Sequence, residues 1–275
     1  MRLRDRADQK ARSDLETGAL FGRIRILARG GYSRSRLLKV DLIRVLSPAA
    51  DLAVLVYEAR RPRNVCVVAG HGYSSSKHNL DFLCGFLAGH GFQIYSLDFP
   101  GHKLGASGGR LRSDEDLIAS MQSVIDHARQ QGNGPIYALG HSMGAMTALR
   151  TAARDSQVSG AIAIATGYGR PSALAALRSI GATDFRDSYV DGLTLPQLSE
   201  HLDAALDEDL PKLAGRPALY IAADRDMMVS PASVRELFEH APEPKTLLTI
   251  QSDHTTAGDA SRAPVLQWLN ERHPR

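Results

Sequence analysis

The sequence predicts a layered α/β fold, a mostly parallel sheet of about eight strands with helices on both faces. Three observations predict it: short, almost wholly apolar runs recur along the chain, helical stripes fill the intervals, and glycines punctuate the transitions. Apolar strands without polar alternation belong to sheets covered on both faces, as parallel sheets are. Strands alternating with helices imply right-handed crossovers in a doubly wound sheet. With 275 residues, 43% of them hydrophobic, the chain can bury a large core without disulfides or metals.

The elements follow in order. Val40–Leu46 and Leu52–Tyr57 flank Ser47-Pro48-Ala49-Ala50-Asp51 and read as an antiparallel hairpin. Asn64–Ala69 is a buried strand broken by Gly70. Ile94–Phe99, Ile136–Leu139, Ala161–Ala165, Ala218–Ala222 and Thr246–Ile250 are strands of the same kind. Leu80, Leu83, Cys84 and Leu87 share one helix face, closed by Gly89 and Gly91. Leu117, Met121, Val124 and Ile125 form another stripe, with Ser113 and Asp116 offering a capping box and Gly132 a stop. Val265, Leu266 and Leu269 mark a last helix with Trp268 packed beside them.

One interval breaks the rhythm. About fifty residues separate the strand ending near Thr166 from the one starting near Pro217. They hold Leu198, Leu202 and Leu206 behind Pro196 as a first helical residue. A short helical cap, inserted at about residues 167–212 and covering a site, is expected. The organisation is then a basic N-terminal extension, 1–39, followed by one domain over 40–275.

Charge and cysteine content narrow the classes. Thirty-three Lys and Arg against 30 Asp and Glu give a formal net charge of +3, too mild for a dedicated nucleic-acid binder. Arg23, Arg25, Arg29, Arg34, Arg36, Lys39 and Arg44 make a basic stretch, read as a solvated face rather than a surface for peripheral membrane contact. No run approaches the roughly 18 apolar residues of a membrane span, and Met1–Arg6 lacks the apolar run of a signal peptide. A cytoplasmic location is expected. Cys66 and Cys84 lie in apolar runs and read as reduced core residues.

Gly140-His141-Ser142-Met143-Gly144 follows a strand and opens a helical run. A sharp strand-to-helix turn lifts the central hydroxyl out of the sheet, at a helix N-terminus whose dipole favours a developing anion. A serine needs a base to take its proton. His254 follows the last strand, in Gln251-Ser252-Asp253-His254, and is preferred over the other histidines. The base needs an acid to orient it. Asp226 follows the strand Ala218–Ala222 and is preferred over its neighbour Asp224. Each of the three lies beyond the C-terminal end of a strand, where open α/β sheets build their sites. Acyl transfer also needs two donors for the tetrahedral oxygen, and the N–H groups of Met143 and Tyr73 are the candidates. His71, Gly72, His141, Met227 and Met228 are the candidate substrate-binding residues. His71 with His78 or His102 lacks the further ligands of a metal shell, so no metal or cofactor is expected.

At these residues the chain resembles the α/β-hydrolase superfamily, in particular its small serine esterases, monoacylglycerol lipases and lysophospholipases. The resemblance runs from about residue 40 onward. It rests on His71-Gly72-Tyr73, the turn Leu97-Asp98-Phe99-Pro100-Gly101-His102, the Gly140–Gly144 elbow, Asp226 before Val229-Ser230-Pro231, and His254. It implies the three-layer α/β-hydrolase fold with a helical cap after the sixth strand. It also implies a Ser142–Asp226–His254 triad and an oxyanion hole at the Tyr73 and Met143 amides. One departure is a longer loop: Gly101-His102-Lys103-Leu104-Gly105-Ala106-Ser107 exceeds the family's turn by about two residues, so substrate preference is not carried over. The expected function is a serine hydrolase of small-molecule carboxylic esters, of short-to-medium acyl or monoacylglycerol type, working through an acyl-enzyme. The alternatives are a thioesterase or acyltransferase with the same triad, or a non-catalytic receptor on the same fold.

Overall fold

A computed structural model describes residues 38–59, 61–168, 182–200 and 202–275, without the side chains of 182, 183 and 202. Eight strands form one sheet: β1 (Lys39–Leu46), β2 (Asp51–Glu58), β3 (Cys66–Gly70), β4 (Gln93–Leu97), β5 (Ile136–His141), β6 (Gly160–Ile164), β7 (Ala218–Ala223) and β8 (Lys245–Ile250). Their order is β1-β2-β4-β3-β5-β6-β7-β8. β1 pairs with β2 and β2 with β4 antiparallel, and every later pairing is parallel. The chain winds from β3 outward to β4, then returns to β5 on the other side of β3. The switch point where a doubly wound sheet opens its crevice therefore lies between β3 and β5.

The unbroken apolar runs are explained by burial on both faces. In β3, Cys66 and Val68 join the cluster under α2 (Asp114–Gln130) and α3 (Met143–Arg154), while Val67 and Ala69 join the opposite cluster. There they meet α1 (Asp81–Gly89), through Leu83, Cys84 and Leu87, and α9 (Arg262–Arg272), through Val265, Trp268 and Leu269. A period of two on a strand with two covered faces leaves no polar position. Both cysteines are free and buried, and burial raises their thiol pKa values, consistent with inert core side chains. Of the basic stretch, Arg23, Arg25, Arg29, Arg34 and Arg36 lie outside the described residues. Lys39 pairs with Glu58 and Asp41, and Arg44 donates to the Ala106 carbonyl at 2.7 Å. Among the described residues no helix is long and apolar enough to cross a membrane.

Between β6 and β7 the structure describes α4 (Ala182–Asp187), α5 (Leu195–Ser199), α6 (Leu202–Asp209) and a 3-10 turn, Leu210–Leu213. Leu198 and Leu206 are buried in the α2/α3 cluster, whereas the Leu202 side chain lies outside the described residues. Two local expectations are corrected. Ser113 precedes α2 but its side chain makes no capping bond. Asp116 instead accepts from the Arg112 amide at 2.8 Å and from its guanidinium. The capping box sits at α5, where Thr194 and Gln197 satisfy each other's backbone, so Pro196 is the second helical residue, not the first.

The end of the cap is fixed to the sheet layer by charge. Arg150 on α3, 3% exposed, donates to Asp209 at 2.9 Å and pairs with Asp114 and Glu115 of α2. Asp209, with a fully buried side chain, also accepts from Arg154 at 2.8 Å and Lys212 at 2.9 Å. Burial works to raise the Asp209 pKa, but Arg154, Lys212 and Arg150 outweigh it and hold the carboxyl below its ordinary range. A carboxyl depressed in the folded state stabilises above its unfolded pKa of about 4, and that contribution is lost as pH falls through the folded value. Asp209→Asn is expected to cost about 3 kcal/mol at neutral pH. It should also flatten the loss of stability below about pH 4, as read from urea melts at both pH values.

Candidate active site

The elbow is built from backbone contacts that exclude side chains. Ser142 adopts φ 54° and ψ −115° between β5 and α3, a conformation costly for a residue with a Cβ. Its amide donates to the Ile164 carbonyl at 2.8 Å, and its carbonyl accepts from Ala145 and Met146 at 3.1 and 3.2 Å. A Cβ on Gly144 would lie 2.2 Å from the Gly70 carbonyl oxygen, and one on Gly140 would lie 2.0 Å from Gly144. The start of α3 is thus pressed against the end of β3, and Ser142, half-buried, stands at its N-terminus. Met143 opens the helix, so its N–H has no intrahelical acceptor.

Across the switch point lies the loop after β3. A Cβ on Gly72 would sit 3.3 Å from His141 Nδ1 and 3.4 Å from Ser142 Cβ, so Gly72–Tyr73 runs directly against the elbow. His71 holds this loop from beneath. It is fully buried, with Nδ1 2.8 Å from the Gly72 carbonyl and Nε2 accepting from the Phe99 amide at 3.0 Å. Burial, then the neighbouring His102, lowers its pKa to about 3. His71 is therefore a neutral brace whose ring nitrogens are both spent on backbone, and nothing of its side chain reaches the surface.

The last two strands supply an acid and a base. His254 Nδ1 lies 2.7 Å from Asp226 Oδ2, and both residues are buried. Asp226 Oδ1 accepts from the Met228 and Val229 amides, each at 2.8 Å. A carboxylate only accepts, so Nδ1 carries the proton and Nε2 is left with the lone pair. Asp224 is turned away: it accepts from the Ser252 amide at 2.9 Å, faces Arg225 and is largely exposed. His141 joins this pair to the elbow. Its Nε2 lies 2.8 Å from the His254 carbonyl, with the two rings 4.8 Å apart. Burial, then the His254 charge, lowers the His141 pKa to about 3, so it remains a neutral donor.

The structure thus brings Ser142, Met143, Gly72, Tyr73, His141, Asp226 and His254 to one edge of the sheet. Met228 is half-buried beside them, while Met227 is 91% exposed. Three features escaped the sequence reading. Lys77 and Asp98 form a buried ion pair at 2.5 Å, with Asp98 also accepting the Lys77 and Ala106 amides at 2.7 Å each. Burial works to raise the Asp98 pKa, yet the Lys77 ammonium and the two amides keep it below the ordinary range. The Tyr73 hydroxyl donates to Asp187 at 2.7 Å, so its polar tip is tied to the cap and does not line an open pocket. The loop 101–111 pairs with cap residues 189–193 by bridges at His102–Val190 and Leu111–Gly192. Only the longer 101–107 loop carried a signal of this in the sequence. Among the described residues no three His, Cys, Asp or Glu side chains are grouped to hold a metal ion.

Residues 60–201 match the family described as serine aminopeptidase, S33, a span that includes the loop after β3, the elbow and most of the cap. No curated protein matches the chain by sequence. Solved structures match over most of their length. An esterase from Pyrococcus furiosus superposes with a TM-score of 0.68 at 17% identity, covering 91% of this chain and 99% of that one. Est1E from Butyrivibrio proteoclasticus, with ferulic acid bound, gives 0.65 at 16%, covering 85% and 100%. A monoacylglycerol lipase from Paleococcus ferrophilus gives 0.60 at 21%, covering 81% and 98%. At these identities the likeness is one of fold, and the fold is the α/β-hydrolase fold. The family match covers just over half of the chain, and the protein belongs to this S33 family of α/β hydrolases.

Proposed function

We propose that the protein hydrolyses carboxylic esters through an acyl-enzyme on Ser142. The observation that carries this reading is the 2.7 Å bond from His254 Nδ1 to Asp226, on a loop held through the His254 carbonyl by His141, the residue before Ser142. It leaves His254 Nε2 outside the bond to the carboxylate, and we assign that nitrogen as the base for the strained, half-buried Ser142.

In the first half-reaction Ser142 Oγ attacks the acyl carbon and its proton passes to His254 Nε2. The carbonyl oxygen becomes an oxyanion between the Tyr73 and Met143 amides, at the positive end of α3. Asp226, whose Oδ1 accepts from the Met228 and Val229 amides, stabilises the imidazolium without taking its proton. The tetrahedral centre collapses as His254 protonates the leaving alcohol. Water then gives a proton to His254 and attacks the acyl carbon; the bond to Ser142 Oγ breaks as His254 returns that proton to Oγ, and the acid leaves with Ser142 and His254 restored.

Esters of short-to-medium acyl or monoacylglycerol type are the proposed substrates. The solved structures of similar fold support ester over peptide chemistry: they include an esterase, a monoacylglycerol lipase and Est1E with ferulic acid bound. Peptide cleavage is the second reading, favoured by the description of the matched family. Nitrophenyl acyl esters of increasing chain length, run beside aminoacyl nitroanilides and acyl-CoA thioesters, separate the classes. Turnover confined to the oxygen esters is expected, and exclusive turnover of the anilides or thioesters overturns the ester reading.

Two variants test the mechanism. Ser142→Ala is expected to lower kcat by about 10⁴ or more and to abolish covalent labelling by a fluorophosphonate. Wild-type turnover in that variant would sink the mechanism. His141→Leu removes the donor to the His254 carbonyl and is expected to lower kcat roughly tenfold. Fluorophosphonate labelling, read by mass on Ser142, should persist in that variant.

A further inference from the structure

Tyr73 has two ends. Its amide adjoins Gly72, where a Cβ would sit 3.3 Å from His141 Nδ1, and its phenol reaches Asp187 of the cap. The hydroxyl lies 2.7 Å from Asp187 Oδ1 and 3.0 Å from the Leu193 carbonyl. The same Asp187 oxygen accepts from the Leu195 amide at 2.7 Å. Asp187 ends α4 and Leu195 opens α5, so one carboxylate oxygen joins the loop after β3 to two cap helices. Burial, then the bond to Asp187, raises the phenol pKa far above neutrality, so the hydroxyl remains a donor wherever the enzyme is folded.

The point to which it is tied is itself held. Lys103 donates to the Tyr189 carbonyl at 2.9 Å and Asp191 to Gly101 at 2.8 Å. Leu111 donates to Asp191 at 2.9 Å and Leu193 to Leu111 at 2.8 Å. The approach is close enough that Cβ atoms on Gly101 and Gly192 would lie 2.4 Å and 1.9 Å from the facing carbonyl oxygens, at φ +75° and +129°. The Tyr73 N–H shares its planar peptide unit with the Gly72 carbonyl, which His71 Nδ1 holds at 2.8 Å, and the bond from the phenol to Asp187 is a second hold on the same residue. An oxyanion donor acts through preorganisation, since its worth depends on where the N–H points before charge develops.

We infer that Asp187 is a positioning residue for the Tyr73 amide: through the phenol, the seated cap aims one of the two oxyanion donors. The inference rests on the ester-hydrolase reading above and adds a residue that the triad and its donors do not include. The cap then contributes to the rate of acyl transfer itself as well as to what the site admits.

The test uses the full chain and four variants: Tyr73→Phe, Asp187→Ala, Asp187→Asn and the double variant Y73F/D187A. Ester kcat and KM are measured per Ser142 titrated with fluorophosphonate, together with inhibition by a phenylboronic acid, whose serine adduct presents an oxyanion. Tyr73→Phe and Asp187→Ala are expected to lower kcat about tenfold and to weaken the boronate by a similar factor, with KM little changed. Asp187→Asn, which keeps an acceptor, should recover most of that loss. The double variant should be no worse than either single one, as expected for two ends of one interaction. Unchanged kcat in Tyr73→Phe, additive losses, or a kcat loss without weaker boronate binding overturns the inference. If those results accompany a labelled, active wild type, the inference falls alone. A wild type that neither takes the label nor turns over ester overturns the underlying reading and the inference together.

Discussion

The structure depends on a contact in which no side chain takes part. At the switch point the carbonyl of Gly70 meets the first turn of α3 so closely that Gly144 has no room for a Cβ, and Gly140 is equally closed off by Gly144. This contact allows α3 to begin immediately after β5, and it forces Ser142 into its positive-φ turn. It also sets the loop after β3 beside the elbow, so that Gly72 touches both His141 and Ser142. Ser142, the N-terminus of α3 and the loop carrying Gly72 are therefore placed by one close approach of two backbones. The strain at Ser142 is carried by packing, since α3 is buried along nearly its whole length.

Around this fixed centre the histidines divide by what their nitrogens do. His71 and His141 are buried, neutral and bonded to backbone, one bracing the loop after β3 and the other holding the base loop. His254 alone of the three faces a carboxylate, which leaves its second nitrogen basic. Burial without an acid makes a histidine a structural donor or acceptor, whereas burial against an acid leaves it ready to take a proton.

Most of this was legible in the sequence because it rests on local patterns. The apolar runs matched all eight strands to within a few residues, since a strand covered on both faces writes its burial directly into composition. Ser142, Asp226 and His254 were legible from position, as each follows a strand at the edge where such sheets open. The capping box was misread at Ser113 and real at Thr194: the Ser113 side chain makes no cap bond, and Asp116 is taken up by the Arg112 amide and guanidinium. His71 and His141 stood in the right segments, but nothing in a sequence tells a histidine that meets substrate from one that braces backbone. Lys77–Asp98 and Tyr73–Asp187 join positions 21 and 114 residues apart, and no periodicity marks such pairs.

The ladder between residues 101–111 and 189–193 is made of main-chain groups and two glycines. Such a join specifies no side-chain identity along most of its length. Lys103 and Asp191 are exposed, and Leu104 is more than half exposed. Mutational drift can therefore remodel this surface residue by residue while the frame that carries it stays put, which makes this stretch a natural reservoir of diversity among descendants of the same scaffold.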